Sequence, residues 1–327
     1  MSFEDDVQII ITLRNFESDC DYLCFDDYWM QKLSEEDKVQ LGEDVKSFRC
    51  NFHDNYILGR WYYIGRGKSG TVLRDNSIMF IFPLFRALKL FKTGDLITPM
   101  CFYSWKGKTR EMQLHGENYA SGYGLKGNSY YFKKKDIEPF KKFKSHIEDY
   151  LNFANFHNIP YHNNPKVLDS IDMRCLLALH LFLKECMGNN NYYLIYDRLI
   201  NYTIGLESLY LERRDEEKRQ KLSSRIAVLL SKDKSDEEKL SRDVKKFYDI
   251  RSDIVHASLT DEKGNNFLCE NIYNYEDIFR KSILAFLDLN STDPFKESIL
   301  SKLDRAISST DIKQEIQASL NLLKLAR

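Results

Sequence analysis

From Asp136 to the C-terminus, apolar residues recur at helical spacing with few interruptions, which restricts the second half of this chain to packed helices. Ile195, Leu199, Tyr202, Leu206 and Leu209 fall on one face of a helix expected over residues 192–212. A strongly apolar stretch over 167–186 reads as a second long buried helix, and further helices are expected over 221–230 and 275–287 and from Asp293-Pro294 onward. Between them, residues 235–256 carry Leu240, Val244, Phe247 and Ile254 at helical spacing, with Ser235 three positions before Glu238 as a capping box. The Pro- and Asn-rich break at 158–165 marks a domain boundary.

Ahead of that break the pattern changes. Short alternating runs at 7–13, 56–64, 77–82, 99–105 and 129–132 read as strands. Leu84, Leu88 and Phe91 suggest one intervening helix with Gly94 as its C-cap. The fold expected is therefore a mixed α+β domain over 1–160 followed by an all-α domain over 165–327, in keeping with a chain of 327 residues, long for a single core.

Composition narrows the class. With 43% apolar and 30% charged residues the chain reads as a soluble globular protein, and its acidic opening lacks the features of a secretory signal. The longest apolar run, 78–85, is broken by Pro83 and far too short for a membrane span. Seven scattered cysteines argue for reduced thiols and a cytoplasmic setting, and Cys20 and Cys24 lack a second ligand pair, so no metal is expected.

The net charge of −1 conceals a contrast: residues 1–44 carry roughly ten more acidic than basic groups, and residues 85–146 roughly eight more basic than acidic. Lys133, Lys134, Lys135, Lys141, Lys142 and Lys144 alternate with Tyr130, Tyr131, Phe132, Phe140 and Phe143, a pattern suited either to attracting RNA and stacking on its bases or to a solvated helix face.

Several motifs lose their chemistry in context. Gly65 to Gly70 satisfies G-x-G-x-x-G, but a strand and turn follow instead of the helix a phosphate loop requires, so a hairpin loop is expected. His157 and His162 lack companion ligands, and His180 sits alone in an apolar helix. Arg110 with His115, and Arg174 with His180, show how readily an arginine falls shortly before a histidine. The pair Arg251 and His256 differs in setting. By periodicity Arg251 lies on the apolar stripe of its helix, about 20° from Leu240, where a cation needs a partner. His256 closes the helix before a polar loop.

The run Tyr248-Asp249-Ile250-Arg251-Ser252-Asp253-Ile254-Val255-His256 resembles the R-x4-6-H motif of the HEPN family, in the Y-x-x-R-S-x-x-V-H wording of its ApeA-like group. Residues 205–209 and 225–230 are similar to that family's preceding helices, and 85–95 resembles part of an accompanying N-terminal region. The resemblance covers 165–290. It implies a helical bundle, a homodimer whose two motifs meet at the interface, and metal-independent endoribonuclease activity serving antiphage abortive infection or toxin–antitoxin systems. An antitoxin or a phage-derived trigger is the further partner implied, and no cofactor is. Ala257-Ser258 departs from relatives with a glycine after the histidine or a tyrosine two residues on.

In that chemistry His256 transfers protons near neutrality, and Arg251 offers paired N–H donors to a phosphate whose charge grows in the transition state. The expected products carry 2′,3′-cyclic phosphate and 5′-hydroxyl ends. Glu207 and Arg225 are the expected supporting residues, Glu207 as the carboxylate that orients or neutralises Arg251. The alternative is an inactive dimer that binds RNA or a protein partner.

Overall fold

The computed structural model describes residues 6–13, 16–25, 28–34, 36, 56–63, 84–94, 96, 101–105, 108–112, 129–153, 173–186, 194–256, 262–293 and 295–326. The chain divides into two compact units, one drawn mainly from residues 1–151 and the other mainly from 152–327. Among the described residues every strand lies in the first unit, and the second is entirely helical.

In the first unit, β1 (Asp6–Leu13) runs centrally between β5 (Tyr56–Tyr63) and β6 (Cys101–Trp105). With β3 (Tyr22–Phe25), β4 (Tyr28–Lys32) and β7 (Lys108–Met112) they make an antiparallel sheet of order β3-β4-β5-β1-β6-β7. A separate parallel pair joins β2 (Phe16–Ser18) to β8 (Tyr130–Phe132). Helix α1 (84–91) buries Leu84, Leu88 and Phe91 as their spacing requires. At Gly94 φ is +149° and an added Cβ would lie 2.8 Å from the Tyr130 backbone, so only glycine fits. Helix α2 (Ile137–Phe153) turns Phe140 and Phe143 onto Phe91 and Phe132, whose rings meet edge-on and tilted in the unit's core.

The second unit comprises α3 (Met173–Cys186), α4 (Leu194–Tyr210), α5 (Lys218–Leu230), α6 (Lys234–Val255), α7 (Glu262–Thr292), α8 (Lys296–Ser308), α9 (Thr310–Ser319) and α10 (Asn321–Leu325). The long α7 is the spine, packed by α4, α5, α6 and α10. Gly205 lets α4 approach it closely: a Cβ there would fall 2.1 Å from Cζ of the buried Phe279. Around that contact Phe182, Tyr202 and Phe279 form one aromatic cluster.

Three helix limits differ from their sequence signals. Helix α6 is capped by Asp233, whose carboxylate accepts from the Asp236 N–H at 2.9 Å, and Ser235 lies inside the helix. Helix α7 extends well beyond 275–287 because polar residues such as Glu262, Asn266 and Asn274 occupy its exposed face. The chain after Asp293 breaks into α8, α9 and α10, the second of these capped by Ser309. The strand expected at 77–82, the 65–70 loop, His157, His162 and the 158–165 break lie outside the described residues.

Candidate functional site

Arg251 and His256 occupy the last turn and the C-cap of α6. The helix ends at Val255, and His256 (φ −88°, ψ 11°) closes it by donating its backbone N–H to the Ser252 carbonyl at 3.0 Å. The imidazole is exposed, as are Asp253 and Val255 beside it.

Arg251 faces the opposite way and is half-buried. Its Nε is withdrawn from solvent without a hydrogen-bond partner, and none of the described carboxylates lies within ion-pair distance of the guanidinium.

Its polar neighbours come from three helices. Tyr248 sits three residues earlier on α6, Glu207 lies on α4, and Tyr275 lies on α7. Burial raises the Tyr248 hydroxyl above its ordinary value, and the nearby Glu207 carboxylate raises it further, while Arg251 acts in the opposite sense. Burial likewise holds Tyr275 well above the tyrosine range. Thr203 Oγ donates to the Leu199 carbonyl at 2.7 Å, so the Tyr275 hydroxyl, 3.2 Å away, donates to Thr203. Phe247 stacks on the Tyr275 ring with centres 4.1 Å apart.

Glu207 therefore makes no ion pair with Arg251, and its carboxylate acts instead on the Tyr248 hydroxyl. Tyr248 and Tyr275 carry no role in the sequence reading. Tyr248 falls within the motif wording, three residues before Arg251, but nothing in the sequence pairs Tyr275 with α6.

Arg225 is not brought to this site. Only 3% exposed, its guanidinium makes a fork with Asp304 (Nε to Oδ1 2.7 Å, Nη2 to Oδ2 2.7 Å), and its Nη1 reaches Asp215 Oδ2 at 2.9 Å and the Tyr210 carbonyl. It joins α5 to α8 and to the end of α4. Asp215 is the counterpart: burial alone would raise its carboxyl, but the Glu212 N–H, Lys221 and Arg225 outweigh this and hold it at about 2.

The lysine run also divides. Lys133, Lys134, Lys135, Lys141 and Lys142 are exposed, whereas Lys144 is buried with its ammonium 5.7 Å from the Tyr28 ring centre. Tyr130, Phe132, Phe140 and Phe143 are fully buried and unavailable to bases, which corrects the stacking expectation; Tyr131 alone of the five interleaved aromatics is exposed. Among the described residues no His, Cys, Asp and Glu cluster could hold a metal ion, and no helix is long and apolar enough to cross a membrane.

No family model matches the chain, and neither a curated protein nor a solved structure matches it.

Proposed function

We propose that the chain is a metal-independent endoribonuclease of HEPN type, acting as a homodimer with Arg251 and His256 as its catalytic residues. The observation that carries this reading is the half-buried Arg251, whose Nε lacks a hydrogen bond and whose charge lacks an ion-pair partner among the described residues, one turn from an exposed histidine. An unpaired guanidinium at a helix end suits a phosphate better than it suits packing. His256, open to solvent, takes the proton of a ribose 2′-hydroxyl, which attacks the adjacent phosphorus and expels the 5′-oxygen. A second imidazole returns a proton to that leaving oxygen, and Arg251 neutralises the charge building on the phosphorane oxygens. Atoms balance as a 2′,3′-cyclic phosphate and a 5′-hydroxyl. The resemblance of the motif favours a cytoplasmic antiphage or toxin effector.

The test is cleavage of single-stranded RNA by the wild type, by Arg251→Ala, by His256→Ala and by an equimolar refolded mixture of the two variants. Each variant is expected to lose on the order of 10²-fold or more in rate. In the mixture, a mixed dimer carries only one His256 and so lacks the second imidazole that protonates the leaving oxygen, and activity is not expected to return. Cyclic-phosphate ends and indifference to chelator are expected. Variants that cut like the wild type overturn the reading, as do 5′-phosphate products; RNA binding without cutting by the wild type favours the inactive dimer instead.

A further inference from the structure

We propose that the exposed lysines at the corner between β8 and α2 grip the backbone of single-stranded RNA without regard to its sequence. This rests on the proposed function in taking RNA as the substrate, but on different residues.

Lys133, Lys134 and Lys135 lead into and form a short 3-10 turn (Lys134–Asp136), and Lys141 and Lys142 follow on the first turns of α2. All five are exposed. The fold fixes their backbone: Asp136 Oδ2 accepts from the Lys133 N–H at 2.7 Å, and the exposed Asp19 accepts from the Lys134 N–H at 2.7 Å. Asp136 also pairs with Lys92, so its charge is neutralised from below. Glu138 pairs with Lys141 at 3.2 Å. Against five lysines the described residues of the corner expose three carboxylates, Asp19, Glu138 and Glu17, the last level with Tyr131 in the β2–β8 register, and the balance stays positive.

At 2.0 Å per residue in the turn and 1.5 Å in the helix, Lys134 and Lys142 lie about 13 Å apart along the chain path, too far for one phosphate to bridge. The ligand that uses the whole face is a polyanion. Because four of the interleaved aromatic rings are buried in the core, the face reads charge and not bases, leaving Tyr131 as the one exposed ring among them.

The experiment uses the full-length His256→Ala protein, so that RNA survives, with and without Lys→Gln at 133, 134, 135, 141 and 142. Binding of labelled single-stranded RNA is measured between about 50 and 200 mM salt. The five-fold variant is expected to bind at least tenfold more weakly at the low end, and its log Kd against log salt slope to flatten by about 3.5, at roughly 0.7 for each phosphate it no longer neutralises. Poly(U) and poly(A) are expected to bind alike. A thermal melt checks that these surface changes leave the fold intact. Unchanged affinity and slope overturn the proposal, as does equally tight binding to polyglutamate or to vesicles rich in phosphatidylserine, which would assign the face to a protein or a membrane. If the wild type cuts RNA while the lysine variant binds it normally, only the lysine face is refuted; if RNA binds through the lysines but is never cut, only the catalytic reading is.

Discussion

Replacing Arg225 by methionine separates a structural arginine from a catalytic one. Methionine retains the apolar stem and removes only the guanidinium. Deleting one partner of a fully buried ion pair costs about 3–5 kcal/mol, because the other charge is left without compensation. Here that range is reduced. Asp304 is 46% exposed and water reclaims it, while Asp215, only 7% exposed, keeps Lys221 at 2.6 Å and the Glu212 N–H at 2.9 Å. What remains is a less compensated Asp215 and a buried Tyr210 carbonyl without its donor, together about 2–3 kcal/mol. For a domain of this size that lowers Tm by about 4–12 °C, measurable by circular dichroism of the helical signal. Adding Asp215→Asn and Asp304→Asn is expected to recover much of the loss, since no charge is then stranded. RNA cleavage well below the melting range should match the wild type. Activity abolished with the melt unmoved would refute the reasoning and return Arg225 to the reaction site.

Gly205→Ala gains about 1 kcal/mol of helix propensity but drives a methyl into Phe279, whose ring is held by Phe182 and Tyr202 and has nowhere to retreat. With overpacking near 3 kcal/mol, a net loss of about 2 kcal/mol is expected in urea unfolding, and equal or greater stability would contradict the close approach of α4 to α7. Acid should also destabilise the fold through Asp215. Its folded value of about 2 lies below the ordinary 3.8, so its contribution, on the order of 2 kcal/mol, is complete above about pH 5 and fades as pH falls toward about 1; Asp215→Asn should flatten that part of the pH–stability curve.

Helical periodicity made α3 to α6 legible because their buried faces are continuous, as Leu199, Tyr202, Leu206 and Leu209 show on α4. Helix α7 was seen only in its apolar middle, since its first turns carry polar residues that periodicity cannot distinguish from a loop. Strands β1, β5, β6 and β8 stood out by alternation, whereas β3 and β4 are short, and nothing local announces that they pair with each other and then with β5. The cap of α6 was misplaced by two residues because Asp233 and Ser235 are equally good caps in isolation. Lys144 and the aromatics beside it show the same limit: composition records their alternation, but only packing decides which members face water.

If Arg251 and His256 act on one phosphate as proposed, helix geometry requires a second chain. Residues five apart on a helix diverge by about 140°, and the end of α6 at Val255 does not close that gap: Arg251 is half-buried, near enough to act on Tyr248 and Tyr275, while His256 is exposed. Reaching one phosphate with both groups from a single α6 would require unwinding its last turn, breaking the bond from the His256 N–H to the Ser252 carbonyl and burying the exposed ring. A two-fold axis near the end of α6 needs no such rearrangement. In the proposed dimer it would set the arginine of one copy against the histidine of the other, and by bringing two imidazoles together it would allow one to accept a proton while the other donates. Pairing Arg251 with Glu207 would neutralise the charge such a site requires. Glu207 instead acts on the Tyr248 hydroxyl and forms no ion pair with the half-buried Arg251.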